Sequence, residues 1–377
     1  MEKYFNQKIA DIIPVVAHYN PSTLITKNGD LIQIIEVRGF IQKEFSDSNK
    51  VLRGEVRKVI KEHIRDSDIS VYLHVIRDYN SIMPKRYQGN EQLVKLVESR
   101  WCEKHRWDHQ LTNILYITIM KQGPKVRFFN IADFLMSIFP FALKQKHNRH
   151  FKKSVEVLDK ITESIQNHLA IFSSKILSVI KEEEVFYSEP LSFYYYLTHL
   201  KKKKIKLDKY DFAELLSDFQ MGTDFNVISL MYDQTVKYIA IYTIELAIEI
   251  EEGILDAILQ YNSQFIISEF LTFVSAEQAL IKVKKYNNIL KSMRNRDIAK
   301  ELHIDEILNL DQGSSSDFCS SQINILVYSD TYDGLQTRIE GITDQLNTLG
   351  LKTIREDINL HTTFFSTCPV ILFTIIE

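Results

Sequence analysis

The apolar positions of this 377-residue chain change period several times, and each change marks a predicted element. Leu24 to Lys27 and Leu31 to Val37 are apolar, β-branched runs on either side of Asn28-Gly29, the pattern of a β-hairpin closed by a type I′ turn. From Asn49 to Arg65, residues Val51, Leu52, Val56, Val59, Ile60 and Ile64 keep helical spacing. Ile69 to Ile76 alternates and predicts a strand, Glu91 to His105 a helix, and Ile114 to Met120 a strand. Phe151 to Val179 lines Val155, Leu158, Ile161, Ile165, Leu169, Phe172 and Ile176 along one face of a long helix, and Leu191 to Leu200 predicts a shorter one.

The second half restates that order. Phe225 to Tyr232 and Tyr238 to Ile248 predict paired strands, Glu251 to Leu259 a short helix, and Gln264 to Phe273 a strand. A long helix is expected from Ala276 to Met293, a loop at Gly313 to Ser316, a strand from Ile323 to Tyr328, a helix from Asp330 to Leu349 and a strand from Leu351 to Ile354. Hairpin, helix, strand, helix, strand thus occurs twice, without a residue-level repeat. The expected fold class is α+β: two α/β subdomains of β-hairpin-helix-strand units joined by a helical segment. The expected division is 1–180 and 181–377, with a boundary near 180–205.

Composition narrows the class. The chain is 45% hydrophobic and 25% charged, with a formal net charge of −3, the balance of a globular protein without the basic excess of a nucleic-acid binder. No specific nucleic-acid partner is expected. Three dispersed cysteines, Cys102, Cys319 and Cys368, argue against a disulfide framework. The start, Met1-Glu2-Lys3-Tyr4, has no secretory pattern, and Phe128 to Leu143, interrupted by Asp133 and Pro140, is too short to span a bilayer. These features point to a cytoplasmic protein or one peripheral on a membrane.

Candidate chemistry is sparse. A phosphate loop needs two glycines five apart before Lys-Ser/Thr, and no two of the 11 glycines have that spacing. No catalytic, cofactor-binding or metal-binding residue is assigned, and no cofactor is expected. Cys102, His105 and His109 fall at helical i, i+3 and i+7; an alternative reading, a free-standing metal-binding protein or enzyme, would place zinc there. A helix end with a buried cysteine and two surface imidazoles explains the same trio and is the preferred reading, and His147 and His150 are a weaker pair. Lys201 to Lys204, with Lys206 and Lys209, could meet anionic lipid or nucleic acid, but no aromatic residue interleaves with the run, and a solvated loop is the preferred reading. The acidic clusters Glu182 to Glu184 and Glu249 to Glu252 read as surface. Ile131 to Leu143 reads as core packing before membrane attachment.

Both ends of the chain carry a family likeness. Ile13-Pro14, His18-Tyr19, Thr26 to Gln33 and Gly39-Phe40 resemble the opening of the CagE/TrbE/VirB family, the large ATPase component of type IV secretion and conjugation machines. Phe273-Val274-Ser275, Arg355-Glu356-Asp357-Ile358-Asn359-Leu360 and Thr363-Phe364-Phe365-Ser366-Thr367-Cys368-Pro369 resemble the family's later segments, with Val370 where the family usually has Gly. The resemblance implies the N-terminal and middle region of such a subunit, truncated before the RecA-like ATPase domain. It implies partners among the other channel subunits, a place at the cytoplasmic face of the bacterial inner membrane, and peripheral membrane contact. The apolar run Val370 to Ile376 is expected to favour self-association. Arg355 should end a strand, and Glu356 and Asp357 should favour the start of the next helix.

The missing phosphate loop gives the first prediction. The purified chain should neither bind ATP at micromolar concentration nor release phosphate from it. Calorimetry and a phosphate-release assay check this, and sustained turnover would overturn it.

Overall fold

The computed structural model describes residues 9–39, 68–79, 91–105, 111–123, 142–208, 212–244, 254–274, 276–292 and 318–369. The first half runs α1 (Ile9–Ile12), β1 (Val15–Asn20), β2 (Thr23–Thr26), β3 (Leu31–Val37), β4 (Ile69–Tyr79), α2 (Gln92–His105), β5 (Leu111–Lys121), α3 (Ala142–His168) and β6 (Ser174–Ile176). A middle group follows: β7 (Val179–Glu182), β8 (Val185–Ser188), α4 (Glu189–His199), β9 (Ile205–Lys206) and α5 (Phe212–Leu216). The second half holds β10 (Gln220–Asp224), β11 (Val227–Tyr232), β12 (Thr235–Ile244), α6 (Ile254–Gln260), β13 (Phe265–Val274), α7 (Ala276–Ser292), β14 (Phe318–Ser329), α8 (Tyr332–Thr348), β15 (Thr353–Arg355) and α9 (Leu360–Ser366). Helices and antiparallel strands together make an α+β fold, as the patterning predicts.

Twelve strands form one antiparallel sheet in the order β1-β2-β3-β5-β4-β13-β14-β12-β11-β10, with β6 added to β3 and β15 to β12. The two halves follow the same plan. Val37 at the end of β3 lies between Leu115 of β5 and Ser174 of β6. Ile244 at the end of β12 lies between Ile323 of β14 and Thr353 of β15. The halves meet where β4 pairs with β13, from Phe265 opposite Arg77 to Thr272 opposite Ser70. A separate small sheet, β7-β8-β9, stands in the middle of the chain.

Side chains alternate across the sheet, and both faces are covered. On one face α3 lays Phe151, Val155, Leu158, Ile161 and Ile165 over Leu31, Ile35, Ile69, Val71, Ile117 and Ile119. On the same face of the second half α8 lays Leu335, Ile339, Ile342 and Leu346 over Ala240, Tyr242, Phe265, Ile325 and Val327. The opposite face carries one core spanning both halves. There Ile32, Ile34, Ile76 and Met120 join Ile228, Ile239, Ile241, Ile266 and Leu326 beneath α4, α5 and α9. Two-sided cover explains why all seven residues of β3 are buried, Gln33 and Glu36 included.

Three local expectations are corrected. The helix expected to reach Val179 ends at His168; a short 3-10 turn and Ser173, in left-handed conformation (φ 55°), redirect the chain into β6 and β7. The apolar residues from Phe172 to Ile180 fit either period, and pairing with β3 decides for strand. The β2–β3 loop is not a two-residue I′ turn. Only Gly29 in it has positive φ (84°), its N–H donates to Thr26 O (2.9 Å), and Thr26 N–H donates to Asp30 O (3.0 Å), the geometry of a bulged turn. Arg355 does end β15, but Glu356 does not cap the next helix; its carboxylate accepts from Thr243 Oγ1 on β12 (2.5 Å). The expected helix at 49–65, the stretch 131–141, the acidic cluster 249–252, the loop 313–316 and the run 370–377 lie outside the described residues.

His74 on β4 is buried, and its Nε2–H donates to the Thr367 carbonyl (2.6 Å), tying β4 to the end of α9. Burial lowers its pKa to about 4, outweighing the bond to Thr367. The unfolded chain therefore binds a proton that the folded chain refuses, and stability falls as pH drops from about 6.5 towards 4. Each pH unit in that window should cost up to about 1.4 kcal/mol through this residue. Urea melts at pH 6.5 and 4.5 test this: His74→Gln, which keeps a donor towards Thr367, should flatten the dependence by about one proton.

Candidate functional site

A cleft of about 420 Å³ opens where the ends of β4 and β5 meet α4 and the small sheet. The sequence sets its walls locally. Ser188 caps α4 by accepting from Leu191 N–H (3.0 Å), Pro190 sits in the first turn, and Leu200 ends the helix in left-handed conformation (φ 53°). Apart from Ser192, the helix is buried from Pro190 to His199, and Ser192, Phe193 and Tyr196 line the cleft. Phe193 packs on Tyr116 (4.5 Å between ring centres) and edge-on to His74 (5.6 Å). Ile76, Ile114, Leu177, Ile180 and Phe193 supply the apolar walls.

Charges form the rim, and each carboxylate there is already held. Glu36 accepts from Arg38 Nε (2.5 Å) and from Tyr116 OH (3.3 Å). Glu189 accepts from Lys175 (2.6 Å) and from Ser178 N–H (3.3 Å). Asp78 pairs with Lys202 (2.9 Å) and accepts from Gln264 Nε2 (2.5 Å). Burial alone would raise the Asp78 pKa; the bonds from Lys202, Gln264 and the Tyr79 N–H outweigh it and hold the carboxyl below its usual value.

The lysine run borders this cleft as an exposed loop, as expected, but its side chains are tethered there. Lys202 also donates to Tyr79 O (2.8 Å), and Lys204 pairs with Glu182 (2.6 Å). Lys201 lies over Tyr232, Lys203 over Tyr195 and Lys204 over Tyr187, at 5.8, 5.1 and 5.8 Å from the ring centres. The aromatics absent from the run in sequence are supplied by the fold. Glu182 to Glu184 form the exposed β7–β8 turn, as expected of surface.

A second layer of polar contacts clamps the two halves together behind the cleft. Gln264 at the start of β13 bonds Asp78 and accepts from Arg338 of α8 (3.4 Å). Arg338 also donates to the Tyr328 carbonyl, and the Tyr328 and Tyr196 hydroxyls are 2.8 Å apart. Burial, then the Asp78 carboxylate, push the Tyr328 pKa far up. Arg77 donates to Tyr261 O (2.6 Å), Asn113 Oδ1 (3.0 Å) and Gln260 O (3.3 Å). His74, Asp78, Tyr196 and Tyr328 were not singled out by sequence; the one available signal was the aromatic density of Phe193-Tyr194-Tyr195-Tyr196 on an otherwise apolar segment.

Cys102 and His105 stand on the last turn of α2 and His109 lies outside the described residues; His147 and His150 stand on the first turns of α3. Among the described residues no group of three or more His, Cys, Asp or Glu is gathered as a metal site. The pairing at Asp78 yields a prediction. Asp78→Ala strands Lys202 and Gln264 and should cost about 2–3 kcal/mol, discounted for the half-exposed lysine, whereas Lys202→Ala should cost about 1 kcal/mol. Denaturant melts check the order; because the Asp78 pKa is depressed, the difference should shrink as pH falls below about 4.

Residues 175–375, from β6 through α9, match the family model described as CagE, TrbE, VirB family, component of type IV transporter system. Over 362 residues the chain is 17% identical to type IV secretion system protein virB4 of Bartonella quintana (strain Toulouse), covering 95% of this chain and 46% of that protein. Over 338 residues it is 18% identical to the protein of the same name from Brucella melitensis biotype 1, covering 86% of this chain and 39% of the relative. The chain thus spans less than half the length of these relatives. The likeness noted at both ends of the sequence, the family match across more than half of the chain and these relatives agree: the chain belongs to the CagE, TrbE, VirB family of type IV transporter components.

Proposed function

We propose that this chain is the scaffold and interaction region of a type IV secretion ATPase subunit. In this reading it assembles with other channel subunits at the cytoplasmic face of the bacterial inner membrane, touches that membrane peripherally, self-associates, and acts with an ATP-hydrolysing region outside this chain. The observation that supports it most is the cleft. Glu36, Asp78 and Glu189 are each occupied by a cation and a second donor, so the charged groups brace the body rather than await a reactant. The buried Cys368 thiol is pushed up to about 12, which keeps it protonated and unreactive. No helix among the described residues is long and apolar enough to cross a membrane. The relatives are named as secretion-system proteins, which supports placing this body among channel subunits.

The test is competition in a cell that runs a type IV system. The overproduced chain should occupy the sites of the complete subunit, lower substrate transfer at least about tenfold, and co-purify with channel subunits after cross-linking. The variant Leu230→Asp, which places a charge in the shared core, should do neither. Normal transfer together with a chain recovered free of channel subunits would overturn the proposal.

A further inference from the structure

The lysines that follow α4 are held by carboxylates and aromatic rings; α7 instead sets exposed lysines beside exposed apolar side chains. Ala279, Leu280, Asn287 and Leu290 bury one side of this helix. The other side presents Ile281 (59% exposed), Tyr286 (47%) and Ile289 (41%). Ile281, Lys285 and Ile289 follow one another at four-residue steps and so form one line along the helix. Lys282, Lys284, Lys285 and Lys291 are exposed, and none joins an ion pair with a described residue. The helix holds a single acid, Glu277.

We infer that the outward face of α7 docks on an anionic bilayer surface. This rests on the peripheral-membrane part of the proposed function and names the surface that would carry it. The lysines meet lipid phosphates, and Ile281, Tyr286 and Ile289 enter the boundary between headgroups and acyl chains. Seventeen residues make a rod about 25 Å long, suited to lying in the membrane plane. Nucleic acid would account for the lysines but not for a row of exposed aliphatic side chains, since single strands are bound by aromatic stacking and duplexes by backbone charge.

The full chain is sedimented with vesicles of phosphatidylcholine alone or mixed with phosphatidylglycerol, at low and high salt. It should bind the mixed vesicles only, and less at high salt. Lys282→Glu with Lys285→Glu should weaken binding more than about twentyfold, since each lysine near an anionic surface contributes about fivefold. Ile281→Ser with Ile289→Ser should weaken it about tenfold, and neither pair should lower the melting temperature, because all four positions are exposed. Lys152→Glu with Lys160→Glu, on the exposed side of α3, should leave binding unchanged. Equal binding to neutral vesicles, no binding to anionic ones, or α7 variants that bind like the parent would each overturn the inference. So would retention of duplex DNA through the same lysines without vesicle binding. Parent-like α7 variants would leave peripheral attachment standing and move it elsewhere, whereas loss of inhibition in the competition experiment would strike at the scaffold reading itself.

Discussion

The antiparallel ladder between β4 and β13 is the constraint on which the rest of this structure depends. Each half has its own helix on one face, α3 or α8, and could satisfy that face alone. The opposite face is different. Its core takes strands from both halves and is closed by α4, α5 and α9 together. Separating β4 from β13 would expose two strand edges and split that core, so neither half can keep its apolar residues dry on this side without the other.

Electrostatics follow from the same geometry. Ending β4 with Arg77-Asp78 beside the start of β13 gives one guanidinium and one carboxylate the task of fixing the loop after α6, the lysine loop after α4, and α8 at once. A lone carboxylate with 13% of its side chain exposed would be costly; three donors make its charge tolerable. At the centre of the shared face, His74 stays neutral and joins β4 to the carbonyl that ends α9. The Thr363 to Pro369 segment, one of the stretches carrying the family likeness, is thus held from inside the first half.

Much of this was legible in sequence because strand and helix periods are local. β4, β12, β13 and β14, and helices α7 and α8, lie within a few residues of their expected places, and the doubled order of elements is the doubled plan of the sheet. What escaped was decided by distant residues. Residues 169–179 read as helix until β3 offers a pairing edge to Ser174–Ile176. The lysine run is exposed as its sequence suggests, but its tethers, Asp78, Glu182 and three tyrosines, come from elsewhere in the chain. His74 occupies a position in an alternating strand where any apolar residue would fit, and Glu356 reads as a helix-start acid because its partner, Thr243, lies 113 residues earlier.

The order in which the central strands are made has a consequence for synthesis. Arg77 is translated almost 190 residues before its partner Phe265. At 5–20 residues per second, β4 waits on the order of 10–40 s with one edge unpaired and its shared face uncovered. During that interval the nascent first half presents Tyr72, His74 and Ile76 on an open strand beside the buried-to-be Ile32 and Ile34. Such a chain is a natural client for a ribosome-associated chaperone, and its yield in a heterologous host would be governed by that waiting time more than by the stability of the finished fold.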